Sequence, residues 1–266
     1  MGDVDLVIVA DDNDPGCASV MVDGTVDGRS YRCLLDTGTG RTHIVADDFI
    51  SEFAPLRQIA SSGVFAPSND VLIQLPDVTV GALSRRPCEV VRLDVGQPGA
   101  RNLLGMDLMK THRCDFLFDD GRLVIDSPGQ LETSHDLHLD DADHPYVGVR
   151  FPELTAQAVW DTGAGITIVD RGFLATHPDS FHEFGSSTGT DATGAQVETP
   201  TFVVSEMTIG GVRFSPHRVA AVDLAPANAT LARPMDLILG FTTLVQANWH
   251  FDFSRQAVGV TRGFDR

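Results

Sequence analysis

Cys33-Leu34-Leu35-Asp36-Thr37-Gly38 and Ala158-Val159-Trp160-Asp161-Thr162-Gly163 are two copies of one pattern in this chain. Each copy is a short apolar run that ends in Asp-Thr-Gly, which is typical of a buried strand leading into a tight turn. An apolar-apolar-Gly element follows each copy, as Leu103-Leu104-Gly105 and as Ile238-Leu239-Gly240. The pattern therefore predicts two similar halves, each of which presents one carboxylate on a glycine turn.

The spacing of other residues around the two copies supports this internal repeat. Val78-Thr79-Val80-Gly81 parallels Met207-Thr208-Ile209-Gly210, and a proline follows each of these segments at the same distance, as Pro87 and Pro216. A repeat of this length is too long for a solenoid and indicates two lobes. We expect an N-terminal lobe in residues 1–130, an inter-lobe linker in residues 131–144 and a C-terminal lobe in residues 145–266.

Composition predicts an all-β protein with few short helices. The chain of 266 residues has many short apolar runs that Gly, Pro, Asn and Asp interrupt, and only 7% of its residues are aromatic. Such runs favour strands and turns. Helical periodicity is confined to short stretches at residues 47–53 and 107–111.

Several classes of function lack the sequence features that they require. The net charge of −18 argues against a nucleic-acid ligand, and no apolar run approaches the length of a membrane span. The motifs of serine hydrolases, zinc peptidases and phosphate-loop enzymes are missing from the sequence, so we expect no cofactor and no metal. The absence of a signal peptide in the chain as given favours the cytoplasm.

Two groups of residues have an ordinary structural interpretation. The histidines of the predicted linker are interpreted as solvated, because no carboxylate or cysteine spacing there supports a metal site; they are His135, His138 and His144. The four cysteines all lie in the first lobe and are predicted to be free buried thiols, although four cysteines also allow three disulfide pairings; they are Cys17, Cys33, Cys88 and Cys114.

The two aspartates suit a particular chemistry. Hydrolysis of an amide by water needs one group that removes a proton from water and another that protonates the departing group. Two carboxyl groups at hydrogen-bond distance do both, because like charges so close cannot both ionise easily and the pair shares a proton. Gly38 and Gly163 let the backbone approach these carboxylates, while Gly105 and Gly240 lie where a side chain would clash with a neighbouring strand.

These residues resemble the catalytic loops of the aspartic peptidases, the clan that contains the two-lobed pepsins and the dimeric retropepsins. A lone Asp-Thr-Gly is weak support, but two copies in a matched repeat with apolar-apolar-Gly elements are specific. The chain is similar to a retropepsin dimer fused into one chain, from about Cys17 to Val260. The resemblance implies a bilobal acid-protease fold, with two pseudo-symmetric retropepsin-like β-barrel lobes and the active site between them.

The resemblance also assigns roles to individual residues. It implies that Asp36 and Asp161 are catalytic and that Thr37 and Thr162 lock the two loops together. The implied activity is that of an endopeptidase acting on a peptide or protein, and we expect a monomer because both loops belong to one chain. The candidate substrate-covering flaps are residues 61–68 and 185–194; their named candidates are Gly63, Val64, Phe65, Thr188, Gly189 and Thr190.

One difference between the loops generates a further expectation. Thr39 follows the first Asp-Thr-Gly and Ala164 follows the second. A hydroxyl at this position is able to donate to the neighbouring carboxylate, whereas alanine is not. We therefore expect the dyad to keep its shared proton to higher pH than a pepsin with hydroxyls on both sides, which gives a mildly acidic optimum.

Two alternatives to an active peptidase stay open at this point. The first is a non-catalytic peptide-binding or regulatory module that has kept the fold. The second is a latent peptidase whose N-terminal segment, residues 1–14, blocks the cleft or completes a sheet between the lobes. This acidic segment has no counterpart in the second half that the sequence alone aligns.

Overall fold

The protein is described from a computed structural model, in which residues 2–62, 67–97, 99–131, 133–190 and 196–263 are described. The strands of the first half are β1 (Gly2–Asp5), β2 (Val7–Ala10), β3 (Ala18–Val26), β4 (Arg29–Leu35), β5 (His43–Val45), β6 (Pro55–Ser62), β7 (Pro67–Leu75), β8 (Val78–Val80), β9 (Leu83–Arg85), β10 (Cys88–Leu93), β11 (Leu103–Leu104), β12 (Arg113–Leu117) and β13 (Arg122–Ile125). The strands of the second half are β14 (His135–Asp136), β15 (His138–Leu139), β16 (Pro145–Arg150), β17 (Thr155–Trp160), β18 (Thr167–Asp170), β19 (Phe181–Thr190), β20 (Gln196–Val204), β21 (Met207–Ile209), β22 (Val212–Phe214), β23 (His217–Val222), β24 (Leu237–Leu239), β25 (Asn248–Asp252) and β26 (Ala257–Thr261).

The helices of the described residues are short. The α-helices are α1 (Met106–Met109), α2 (Arg171–Thr176), α3 (Ala225–Asn228) and α4 (Phe241–Leu244), and single 3₁₀ turns occupy Ile50–Glu52 and Pro178–Ser180. The prediction of a mostly β protein is therefore confirmed. None of the helices among the described residues has the length and apolar character needed to cross a membrane.

The two halves have the same strand order. One ten-stranded sheet runs β6-β7-β10-β5-β11-β4-β3-β8-β9, with β2 paired to β3. The other runs β19-β20-β23-β18-β24-β17-β16-β21-β22, with β15 paired to β16. Each strand of the first sheet has its counterpart thirteen strands later in the second, from β2 and β15 to β11 and β24. The repeat that the motif spacing predicts is present in the topology.

The apolar-apolar-Gly elements occupy the centre of each sheet. Strand β11 lies between β4 and β5, parallel to β4 and antiparallel to β5. Strand β24 lies in the same way between β17 and β18. Strands β4 and β17 each have a paired strand on both sides, and apolar side chains cover the ends of both strands. Their last residues are therefore buried in succession rather than alternately, as in Cys33, Leu34 and Leu35.

A six-stranded sheet joins the halves. Its order is β1-β13-β12-β25-β26-β14, and the pairing of β12 with β25 at its centre connects the first half to the second. The first strand of the chain and its counterpart β14 form the two edges. The N-terminal residues Gly2–Asp5 therefore complete this sheet.

This arrangement corrects two sequence-based interpretations. The stretch 131–144, which we expected to be a linker, contains β14 and β15 and contributes to two sheets. The N-terminal segment does have a counterpart in the second half, because β1 and β2 correspond to β14 and β15. The sequence did not reveal this match because strands of two to four residues carry too little pattern.

The apolar core is continuous across the halves and supports the second aspartate loop from behind. Trp160, which directly precedes Asp161, is fully buried. Its ring centroid lies 4.6 Å from that of Phe116 in the first half and 4.6 Å from that of Phe251 in the central sheet. All four cysteines are buried and free, as predicted.

We expect Val4→Asp to destabilise the protein by roughly 3 kcal/mol, because it buries an unpaired carboxylate where β1 joins the central sheet. Val9→Asp is the matched control, since Val9 lies in β2 with 48% of its surface exposed. Urea unfolding monitored by circular dichroism measures both variants. Equal losses of stability in the two variants would contradict the placement of β1 in this sheet.

Candidate active site

The strand order brings the two Asp-Thr-Gly loops together. Asp36 directly follows β4, and its amide donates to the carbonyl of Leu104 in β11 at 3.0 Å. Asp161 directly follows β17, and its amide donates to the carbonyl of Leu239 in β24 at 3.0 Å. The central strand of each half thus fixes the backbone of its aspartate.

The glycines after these central strands allow close backbone packing. A Cβ at Gly105 would lie 2.8 Å from the Arg41 nitrogen and closer still to that residue's carbonyl. A Cβ at Gly240 would lie 2.6 Å from the carbonyl oxygen of Ala164. The residues after these glycines donate to the two Asp-Thr-Gly loops, since the amides of Met106 and Phe241 lie 2.8 Å from the carbonyl oxygens of Thr39 and Ala164, respectively.

The two threonines bind each other's loop. The amide of Thr37 donates to Oγ1 of Thr162, and the amide of Thr162 donates to Oγ1 of Thr37, both at 3.1 Å. The hydroxyl of Thr37 also donates to the carbonyl of Trp160 at 2.8 Å. Both threonines are buried, so these bonds are shielded from water. They hold the two loops in one fixed relation.

The two remaining glycines bring the carboxyl groups together. A Cβ at Gly38 would lie 2.5 Å from the carboxyl carbon of Asp161, and one at Gly163 would overlap the carboxyl of Asp36. Each carboxyl group therefore lies against the glycine of the opposite loop. The amides of Gly38 and Gly163 both donate to Oδ1 of Asp161, at 3.1 Å and 2.8 Å. The two carboxyl groups are close enough for each to affect the pKa of the other.

The site raises the pKa of both aspartates. Burial raises the pKa of Asp36 well above its ordinary value, and the charge of Asp161 raises it further, while Arg101 and the Gly38 amide oppose these effects. Burial also raises the pKa of Asp161, but the amides of Gly163 and Gly38 and the charge of His144 oppose it. Because Oδ1 of Asp161 accepts two amide hydrogens, the ionised form of Asp161 is stabilised more than that of Asp36, and the pair titrates as one coupled unit.

The expected role of Thr39 is wrong. Its hydroxyl donates to the carbonyl oxygen of Arg41 at 3.4 Å rather than to a carboxylate. The difference between Thr39 and Ala164 therefore does not set the protonation of the dyad. Burial sets it instead, opposed by backbone amides and by the charges of Arg101 and His144.

Sequence reasoning missed both of these charged side chains. The sequence predicts a solvated linker residue at His144, but its side chain is only 21% exposed and pairs with Asp140. Its charge lowers the pKa of Asp161. Arg101 acts on Asp36 and lies two residues before β11. The available signal was a charged residue two positions before a buried apolar pair. Sequence alone does not distinguish such an arginine from one on the surface.

The candidate flap residues have different outcomes. Gly63, Val64 and Phe65 lie outside the described residues. Thr188, Gly189 and Thr190 form the end of β19, which pairs with β20 to make a hairpin. The structure places these three residues in the β19–β20 hairpin of the second half, and their expected role as a flap stays a prediction.

The N-terminal segment contacts this hairpin near its middle. Asp14 forms an ion pair with Arg218 and accepts a hydrogen bond from Ser187 of β19 at 2.5 Å. A polar cavity of about 590 Å³ lies beside this contact, between residues 11–15 and the hairpin. A second ion pair joins Lys110 to Asp143 at 2.8 Å, and in this pair the earlier residue carries the positive charge. Each half thus reaches across to the other.

The described residues contain no group of three or more His, Cys, Asp or Glu side chains arranged to hold a metal ion. Comparison with known proteins adds no functional assignment. No protein-family model matches this chain, and no curated protein sequence matches it. The chemistry of the site is therefore argued from its geometry.

We expect Thr37→Val to destabilise the protein by about 2 kcal/mol, because it leaves the buried amide of Thr162 and the carbonyl of Trp160 without their partner. Thr39→Val is the matched control, and its effect should stay within about 0.5 kcal/mol because the bond that it removes is exposed. Thermal and urea unfolding measure both. An equal loss of stability in the control would contradict the role of the Thr37–Thr162 hydrogen bonds in holding the loops together.

We expect Asp36→Asn to stabilise the folded protein at neutral pH. A folded-state pKa above the ordinary value of 3.8 means that wild-type stability falls as pH rises from that value through the raised pKa. Asparagine resembles the protonated acid and does not ionise, so the variant escapes this loss.

The difference in melting temperature between Asp36→Asn and wild type should be near zero in acid and grow with pH. Asp48→Asn, at an exposed position, is the control and should show no such trend. A difference that is independent of pH would show that Asp36 is not held protonated.

Proposed function

We propose that this chain is an aspartic endopeptidase with a bilobal acid-protease fold. The observation that carries the proposal is the pair of buried carboxyl groups of Asp36 and Asp161, which lie together with raised pKa values where two reciprocally bonded loops meet. Hydrolysis by general acid and general base catalysis requires one protonated and one ionised group in the same site, and two carboxyl groups with different pKa values meet that requirement. The repeated topology supports the fold assignment, since each half supplies one loop in the same way.

The protonation of the dyad suggests how the reaction proceeds. Asp161 accepts a proton from a water molecule, whose oxygen attacks the carbonyl carbon of the scissile peptide bond. Asp36 gives its proton to the carbonyl oxygen, which produces a tetrahedral gem-diol. The proton on Asp161 then passes to the amide nitrogen, the C–N bond breaks, and a gem-diol proton returns to Asp36. Each proton is accounted for without a covalent intermediate.

The substrate is proposed to be a peptide or protein segment in extended form, bound between the halves. An extended chain offers main-chain donors and acceptors to strands such as those of the β19–β20 hairpin. Because one chain supplies both loops, we propose a monomer. The four free buried cysteines accord with a reducing compartment, which favours the cytoplasm.

The alternatives receive less support from the geometry. A binding module has no need for two carboxyl groups with raised pKa values at a buried contact, since ion burial costs stability. Of the two arrangements that the latent form allows, residues 2–5 adopt the second, since they complete the sheet that joins the halves, while residues 7–10 pair with β3. This pairing favours a structural role for the segment over a blocked cleft.

We expect internal cleavage of a mixed peptide library by the wild type, assayed from about pH 3 to about pH 8, with an optimum on the mildly acidic side because burial raises the pKa of both aspartates. Asp36→Asn and Asp161→Asn should each reduce kcat/KM by about 100-fold or more, because each removes a group that transfers a proton. The assay is mass spectrometry of the products. Specific activity should be independent of protein concentration.

Asp48→Asn is the control for this experiment and should cleave as wild type does. Cleavage that survives in both dyad variants would assign the activity to another site or to a contaminant. A folded wild type that cleaves nothing at any pH would overturn the peptidase and favour a binding module.

A further inference from the structure

Arg101 is a half-buried arginine that precedes β11 by two residues. Its Nε is buried and has no hydrogen-bond partner among the described residues. The other half-buried arginines of the described chain all have one, in Phe53, Asp115, Asp3 and Asp14 for Arg92, Arg113, Arg122 and Arg218, respectively. A buried donor without a partner costs free energy, which a bound acceptor would recover.

Arg101 lies near the start of the strand that supports Asp36. It precedes β11 by two residues, and β11 holds the backbone of Asp36 through the carbonyl of Leu104. The charge of Arg101 acts directly on the carboxyl of Asp36. The strand order and this electrostatic effect place Arg101 on the Asp36 side of the site, within range of a ligand that extends from the dyad along β11.

The corresponding position in the second half serves a different purpose. Asp236 lies four residues before Gly240, as Arg101 lies four residues before Gly105. The carboxylate of Asp236 accepts the amide hydrogen of Gln157 at 2.7 Å, so it is used within its own lobe. The two sides of the dyad thus differ at this position, and only the first side offers unsatisfied donors there among the described residues.

We infer that Arg101 is a specificity-determining residue that binds an acidic side chain of the substrate, next to the scissile bond. The inference rests on the proposed peptidase function. A guanidinium donates paired, charge-assisted hydrogen bonds to a carboxylate with a geometry that few other groups match. Its positive charge also offsets the repulsion between an incoming carboxylate and the negative charge of the dyad. The substrate class is therefore an acidic peptide.

Net charge alone would lead to the opposite expectation. A protein with a charge of −18 attracts basic peptides at long range. Salt screens that attraction over about 10 Å, whereas a desolvated pair at Arg101 is screened much less. The local contact should therefore decide the preference at one position of the substrate.

The test uses terminally blocked peptides that differ only by Glu or Gln at one position on either side of the cleaved bond. We expect wild type to favour Glu by about tenfold or more in kcat/KM at one position. Arg101→Gln should bring this ratio close to one, and Arg101→Lys should retain part of it. Arg150→Gln, at an exposed position in β16, should leave the ratio unchanged.

The Glu/Gln ratio separates recognition from other effects of the substitution. Loss of Arg101 also changes the pKa of Asp36, but that change affects both peptides of a pair equally. A ratio that is the same in wild type and Arg101→Gln, or a preference for Lys over Glu at every position, would overturn the inference and leave the peptidase standing.

Binding of the same peptides, measured by fluorescence anisotropy, separates the two proposals. If no peptide is cleaved but wild type binds Glu peptides more tightly and Arg101→Gln does not, the peptidase fails and the carboxylate site stands. If no peptide is cleaved and the Kd values of each pair are equal, both proposals fail.

Discussion

The reciprocal hydrogen bonds between Thr37 and Thr162 are the interaction on which the rest of the site depends. Each threonine belongs to a different half, so neither loop reaches its conformation without the other. The bonds are buried, and a buried polar group without its partner costs more than the bond itself contributes. The lock therefore makes the relative position of the two aspartates a property of the whole molecule and not of either lobe.

The lock brings together two groups that oppose each other electrostatically. The glycines of the opposite loops allow the carboxyl groups to approach, and burial withholds the water that would stabilise two charges. The fold offsets this cost with the central strands, the threonine bonds and the continuous core behind Trp160. The site costs stability, but it persists because several independent contacts of the surrounding structure each hold it in the same conformation.

The sequence predicted what depends on short-range pattern. Short motifs at fixed spacing predicted the all-β class and the internal repeat. They also predicted the strand beside each loop and the crowding at Gly105 and Gly240. It did not predict the short strands of the first residues and of 131–144, whose identity comes from their partners. It also misplaced Thr39 and missed His144, because the partner of a side chain depends on which distant segments meet.

Fusion of the two halves into one chain permits differences that a symmetric pair of identical chains does not. In a symmetric pair both carboxyl groups have the same neighbours, so acid and base roles interchange freely. Here the amides of Gly38 and Gly163 both donate to Asp161, while Arg101 and Asp236 give the two flanks opposite charges. The two carboxyl groups therefore have different surroundings before any ligand binds. Under the proposed function, the same asymmetry would give an extended peptide one favoured direction across the site, because its two sides would meet different charges.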